Sequence, residues 1–118
     1  MKWIVKFHDE FDLEFEALNE VIQDELLSHA QLLEKFGPQL GRPTVDTLKG
    51  SKHPNMKELR FKARKSVWRV AFAFDPKRSA ILLVAGNKSG VGQARFYKEL
   101  IRKADDRYSA YLKELSGE

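Results

Sequence analysis

The chain has 118 residues, 42% hydrophobic and 32% charged, with no cysteine and a formal net charge of +4. That length supports one ordinary hydrophobic core without staples, and the lack of cysteine excludes a disulfide scaffold, a thiolate nucleophile and cysteine-based zinc sites. Charge is placed unevenly: residues 1–41 hold three basic and nine acidic side chains, the remainder 18 and eight, which points to a polyanionic partner for the later two thirds. One domain over residues 1–118 is expected, soluble and cytoplasmic. Asp9, Glu10 and Asp12 interrupt the N-terminal run, so no signal peptide is read, and no apolar stretch approaches the ~18–20 residues of a membrane span.

In chain order, Trp3, Val5 and Phe7 alternate with Lys2, Ile4 and Lys6, which suits a short strand with one buried face. The period turns helical from Asp9 to Lys35, with Phe11, Phe15, Leu18, Leu26, Ala30 and Leu33 on one stripe. Asn19 is placed to cap a second helix and split the segment in two, and Gly37-Pro38 stops it. The acidic residues of this pair read as a solvated face. Glycine and proline punctuate residues 37–55, with a short strand fitting Thr44 to Lys49. Three strands follow. Glu58 to Phe61 and Val67 to Phe74 alternate, and Ala80 to Gly86 is almost wholly apolar, joined to its predecessor by a type I turn with Pro76 in second position. Leu59, Phe61, Trp68, Val70, Phe72 and Phe74 fall on a core face, while Glu58, Arg60, Lys62, Arg69, Ala71 and Ala73 share the other. The small alanines leave room for something to lie against the sheet. A final helix is expected from Gln93 to Leu115. The fold class is α+β: a small twisted antiparallel sheet with two N-terminal helices and one C-terminal helix.

Candidate chemistry is narrow. His8, His29 and His53 lack ligand spacing, so no metal is expected, and no cofactor motif is present. Gly86 to Gly90 contains a lysine but not the glycine spacing of a phosphate loop. His53 precedes the Arg60 strand and is a possible accessory acid or base. Arg60 and Arg69 sit on neighbouring strands about 4.8 Å apart, Lys88 ends the third strand, and Tyr97 lies in the first turns of the last helix. These four can converge on a phosphodiester, whose oxygens gain charge during displacement. RNA supplies its own 2′-hydroxyl nucleophile, so a base suffices without metal. Surrounding cations would favour the phenolate form of Tyr97.

Leu40-Gly41-Arg42-Pro43, Leu48-Lys49-Gly50-Ser51, Lys57-Glu58-Leu59-Arg60, Trp68 to Pro76, and Asn87-Lys88 followed by Arg95-Phe96-Tyr97 together resemble the RelE/ParE superfamily of toxins, in its HigB-like, phage-derived branch. The resemblance covers nearly the whole chain and implies a RelE-like fold. It implies a type II toxin–antitoxin toxin that enters the ribosomal A site of the 30S subunit and cleaves mRNA without metal, leaving a 2′,3′-cyclic phosphate and a 5′-hydroxyl. By motif, Arg69 matches the catalytic strand arginine, Arg60 the basic residue of the preceding strand, Lys88 a phosphate contact and Tyr97 the tyrosine some members use as base. Lys49, Lys57, Lys62 and Arg95 complete the expected RNA-binding set. Glu58 stands where some relatives carry a lysine, which lowers the cation count. The implied partner is a cognate antitoxin in a hetero-oligomer, with no membrane. The alternatives are a ParE-like non-nuclease toxin that inhibits DNA gyrase, or a non-catalytic RNA-binding relative.

Overall fold

The computed structural model describes residues 2–117. The elements are β1 (Ile4–Phe7), α1 (Asp9–Glu16), α2 (Glu20–Phe36), a 3-10 turn (Gly37–Gln39), β2 (Val45–Thr47), β3 (Lys57–Ala63), β4 (Ser66–Phe74), β5 (Ser79–Asn87) and α3 (Gln93–Leu115). The strands form one sheet in the order β1-β5-β4-β3-β2. Only β2 to β5 pair antiparallel with one another. β1 lies parallel to β5, pairing Ile4 with Ser79 through Phe7 with Leu82, so the sheet is mixed. Two helices intervene between β1 and the remaining strands, and parallel pairing needs such a long connection.

Helix ends follow local chemistry. Nδ1 of His8 accepts from the Glu10 amide at 3.2 Å, and the Asn19 side chain accepts from Val21 at 2.9 Å, which satisfies amide donors that have no partner within each helix. Asn19 therefore does split the segment. Gly37 ends α2 with φ 54°, and the Trp3 ring lies where a Cβ would project, so both the backbone angle and the close approach require glycine.

One face of the sheet buries Leu59, Phe61, Val70, Phe72, Ala80 and Leu82 against Phe11, Ile22, Leu26, Ala30 and Leu33 of α1 and α2. The opposite face carries Ala71, Ala73, Ile81 and Leu83, and α3 lays Phe96, Leu100, Ala104 and Tyr108 on it. Their i, i+4 spacing makes one helical stripe. What lies in the room left by the alanines is this helix.

A β-bulge marks β5: Ala71 faces Val84 while Phe72 faces Leu82, leaving Leu83 with no residue opposite it. The Leu83 carbonyl accepts instead from Nη1 of Arg107 at 2.7 Å. That guanidinium also grips both carboxylate oxygens of Glu14, at 2.8 and 2.6 Å, and approaches Glu10 at 3.3 Å. Arg107 thus ties α1 to α3 around the sheet edge beyond the end of β1. These two glutamates are not merely solvated. The hydrogen bond from Arg107 holds the Glu14 carboxyl below its ordinary value of 4.5. A lowered folded-state value gives stability that is present above the unfolded value and fades as pH falls through the folded one. Arg107→Ala is expected to cost roughly 1–3 kcal/mol, because it strands a carbonyl and breaks a half-exposed pair. In thermal melts, the gap between the two proteins should narrow as pH drops from neutrality to below the ordinary glutamate value. A gap independent of pH would assign the cost to the carbonyl alone.

The hairpin between β4 and β5 is held from α3. Tyr111 donates to Oδ2 of Asp75 at 2.6 Å, and Oδ1 accepts from the amides of Lys77 and Ser79. Arg78 adopts φ 63°, as the residue following a type I turn does in a three-residue hairpin. On the same helix Asp105, which is buried, accepts from Ser51 Oγ and the Lys52 amide, docking the loop before β3. Among the described residues no helix is long and apolar enough to cross a membrane.

Candidate active site

The register of β3 and β4 sets Arg60 directly opposite Arg69, and Glu58 opposite Ala71. Arg60, Arg69 and Glu58 point to the α3 face with Ala71, at the end of the sheet where α3 begins. Arg69 faces Gly86 on β5. A Cβ on Gly86 would stand 3.1 Å from the Phe96 ring, so glycine lets the first turn of α3 settle close beside Arg69. The Arg69 guanidinium rests 5.8 Å from the Phe96 ring centre and 5.7 Å from that of Tyr97.

Glu58 is the hub of the cluster, and it is only 4% exposed. Its Oε1 accepts from the Tyr97 hydroxyl at 2.9 Å, its Oε2 accepts from Nη2 of Arg60 at 3.2 Å, and Nε of Arg69 is 3.7 Å away. Asp46, opposite Glu58 on β2, reaches Arg60 at 3.8 Å and Arg42 at 3.3 Å. Two arginines thus meet two carboxylates. Nε of both Arg60 and Arg69 is buried without a hydrogen-bond partner.

This arrangement corrects the phenolate expected for Tyr97. Burial, then its hydrogen bond to Glu58, raise the phenol above its usual value of 10.0, outweighing the influence of Arg69. The nearest charge to the hydroxyl is a carboxylate. Tyr97 is therefore a hydrogen-bond donor here, and Glu58 is the carboxylate acceptor at the centre. Sequence reading registered Glu58 only as a missing lysine. Its place two residues before Arg60, on the same strand face, was the available signal.

The other candidates disperse. Lys88 is half-buried at the rim, donating to Gln93 Oε1 at 3.3 Å. Lys62 is exposed on the Arg60 face. Lys57 lies on the opposite face with Leu59 and donates to Thr47 Oγ1 at 3.2 Å. Lys49 is exposed in the turn after β2, and Arg95 borders a groove between β5 and α3. His53 does not reach the cluster: its Nε2 is 3.0 Å from Ser109 Oγ, and its ring packs edge-on to Tyr108. Tyr108 is about 16 Å along the helix from Tyr97. Among the described residues no group of three or more His, Asp or Glu side chains is arranged to hold a metal ion.

The fold and cluster define a class, an α+β protein whose sheet is covered by helices on both faces and bears a cluster of charged side chains at one end. Residues 13–109 match the family "Phage derived protein Gp49-like (DUF891)". The chain is 45% identical over 103 residues to HigB3 of Mycobacterium tuberculosis, named as a candidate toxin, covering 87% of this chain and 88% of that protein. It is 49% identical over 83 residues to the candidate toxin HigB2 of the same organism, covering 70% of this chain but only 41% of HigB2. In fold it is similar to an arginine-substituted mutant of the Escherichia coli toxin RelE in the free state, with TM-score 0.58 and 14% identity over 87% of this chain and 97% of that one. It is also similar to isolated E. coli RelE, with TM-score 0.57 and 15% identity over 85% and 96%. The chain belongs to the phage-derived Gp49-like family and is a HigB-like toxin on a RelE-type fold.

Proposed function

We propose that this toxin is a ribosome-dependent endoribonuclease that cleaves mRNA by attack of the 2′-hydroxyl on the adjacent phosphate. The convergence of Arg60, Arg69 and Tyr97 on one buried carboxylate carries this reading. Glu58 accepts the 2′-hydroxyl proton as the 2′ oxygen bonds to phosphorus. The bond to the 5′ oxygen breaks, leaving a 2′,3′-cyclic phosphate, and the departing 5′ oxygen takes the Tyr97 proton. The hydrogen bond between Tyr97 and Glu58 then returns the proton from the carboxyl to the phenolate, and the site is reset. The Arg60 and Arg69 guanidinium groups place positive charge by the phosphoryl oxygens, where negative charge gathers, and Lys88 adds a cation at the rim. His53 has no part.

The partners that follow are mRNA held in the ribosomal A site and a cognate antitoxin. The antitoxin is expected to cover or distort the basic surface with an acidic or amphipathic segment. Mapping transcript 5′ ends after induction, in wild type and Arg69→Ala, tests the reading: cuts within translated codons that vanish in the variant support it. The carboxylates that neutralise the arginines favour a second reading, a toxin without nuclease activity. Growth arrest without cuts, together with inhibition of purified gyrase in a supercoiling assay, would establish it.

A further inference from the structure

The turn between β3 and β4 is built from the wrong residues for its shape. Ala63 pairs with Ser66, so the loop is Arg64-Lys65 alone, and both residues have positive φ, 51° and 65°. A two-residue hairpin with both φ positive is a type I′ turn, which favours Asn-Gly because side chains with a Cβ are strained there. Two long cations occupy it instead. Beside it lies a depression of about 280 Å³ lined by Lys65, Arg69, Asn87 and Lys88 among others, with no carboxylate in its wall. Nη1 of Arg69 turns to this side, donating to the Val67 carbonyl at 3.4 Å. Among the described residues no acid lies within ion-pair distance of Arg64, Lys65 or Lys88. Arg69 thus divides the surface: Glu58 and Asp46 offset the charge on one side, and nothing offsets it on the other.

We propose that this depression seats a backbone phosphate of the substrate RNA strand, next to the phosphate that reacts, with Lys65 in its wall and Arg64 beside Lys65 in the turn. The inference rests on the nuclease reading for the identity of the strand, and otherwise on charge and turn geometry. The strand leaves the reacting position along Arg69 and crosses the hairpin, so recognition there is of the sugar-phosphate chain and not of bases.

Replacing the turn by Asn-Gly, as Arg64→Asn with Lys65→Gly, separates the two properties of these residues. The variant should melt higher by a few degrees, since it relieves both strained positions. Its binding to a short, fully 2′-O-methylated single strand, which offers no 2′-hydroxyl nucleophile, should weaken. Loss of this one phosphate contact lowers the slope of log affinity against log salt by about 0.7, equivalent to roughly 5-fold at 0.1 M salt. The charge-matched variant Lys2→Gln with Lys113→Gln removes two cations elsewhere and should keep the wild-type slope. Lys113 stands beyond the other end of β4, about 26 Å away. A turn variant with wild-type affinity and slope overturns the proposal. So does an equal loss in the charge-matched variant, or a loss seen on 30S subunits but not on the free strand. A wild type that binds through the turn yet cuts no translated mRNA sinks the nuclease reading and leaves this seat standing. A wild type that cuts, with a turn variant that binds normally, sinks the seat alone.

Discussion

Arg69→Ala is expected to leave the fold intact and to lower cleavage of translated transcripts by roughly 10²–10³-fold, the usual cost of removing one preorganised donor that acts on transition-state charge. The fold should survive because the apolar contacts of β4 come from its other residues: Val70 and Phe72 face α1 and α2, and Ala71 and Ala73 face α3. Arg69 contributes a guanidinium over two rings and an ion pair to Glu58, which keeps Arg60 and the Tyr97 hydroxyl as partners when Arg69 is removed. The loss should appear in the rate on saturating substrate more than in binding, since Lys88 and the basic turn still hold the strand. Growth arrest on induction should disappear with the cuts. A folded Arg69→Ala protein that remains toxic and still cuts mRNA would remove Arg69 from the mechanism.

The second large effect has opposite signs in two measurements. Glu58→Gln keeps the shape and an acceptor for Tyr97 but cannot take a proton, so cleavage should fall by about 10²–10⁴-fold, the range for loss of a general base. The same change deletes the negative charge beside Arg60 and Arg69, and RNA should bind more tightly and with a steeper salt dependence. A base that is also the internal counter-ion of the phosphate site must show both. Should rate and affinity fall together, Glu58 would be a structural brace, and the proton would go elsewhere. Stability is the control: Glu58 is buried against two guanidinium groups, and leaving them unpaired costs more the less water reaches them. Glutamine limits that cost by keeping both oxygen and amide in place.

Most of the architecture was legible because alternation and helical spacing each had enough residues to show. The Gln93–Leu115 helix has its predicted bounds, and Asn19 divides the first helices as its cap chemistry suggests. The faces of β3 and β4 were readable from parity alone. Two features were not. A four-residue β1 carries no mark of its partner, so its parallel pairing with β5 depends on the whole topology. The bulge at Leu83 was hidden inside an apolar run buried on both faces, where alternation has no contrast to report. At the site, arginine pairing followed from strand adjacency, whereas the raised Tyr97 required knowing that its hydroxyl meets Glu58 before any cation. His53 and Lys57 were near in sequence, but the loop docked on Asp105 and the strand parity sent them elsewhere.

The unpaired residue in β5 gives the sheet a change of phase. Ile81 and Leu83 face α3, and after the extra residue Val84 faces it too, so Ala85 turns to the other layer and Gly86 returns to α3. Without that step the strand would present Ala85 to α3 beside Arg69, and the glycine that admits Phe96 would be turned away. The bulge is therefore a place where strand length can change by one residue. Deleting Leu83 would join Leu82 to Val84 in a regular ladder and leave Val84, Ala85 and Gly86 on the faces they hold now, so the arginine cluster should survive. A single deletion after the bulge would instead turn Gly86 away from Phe96.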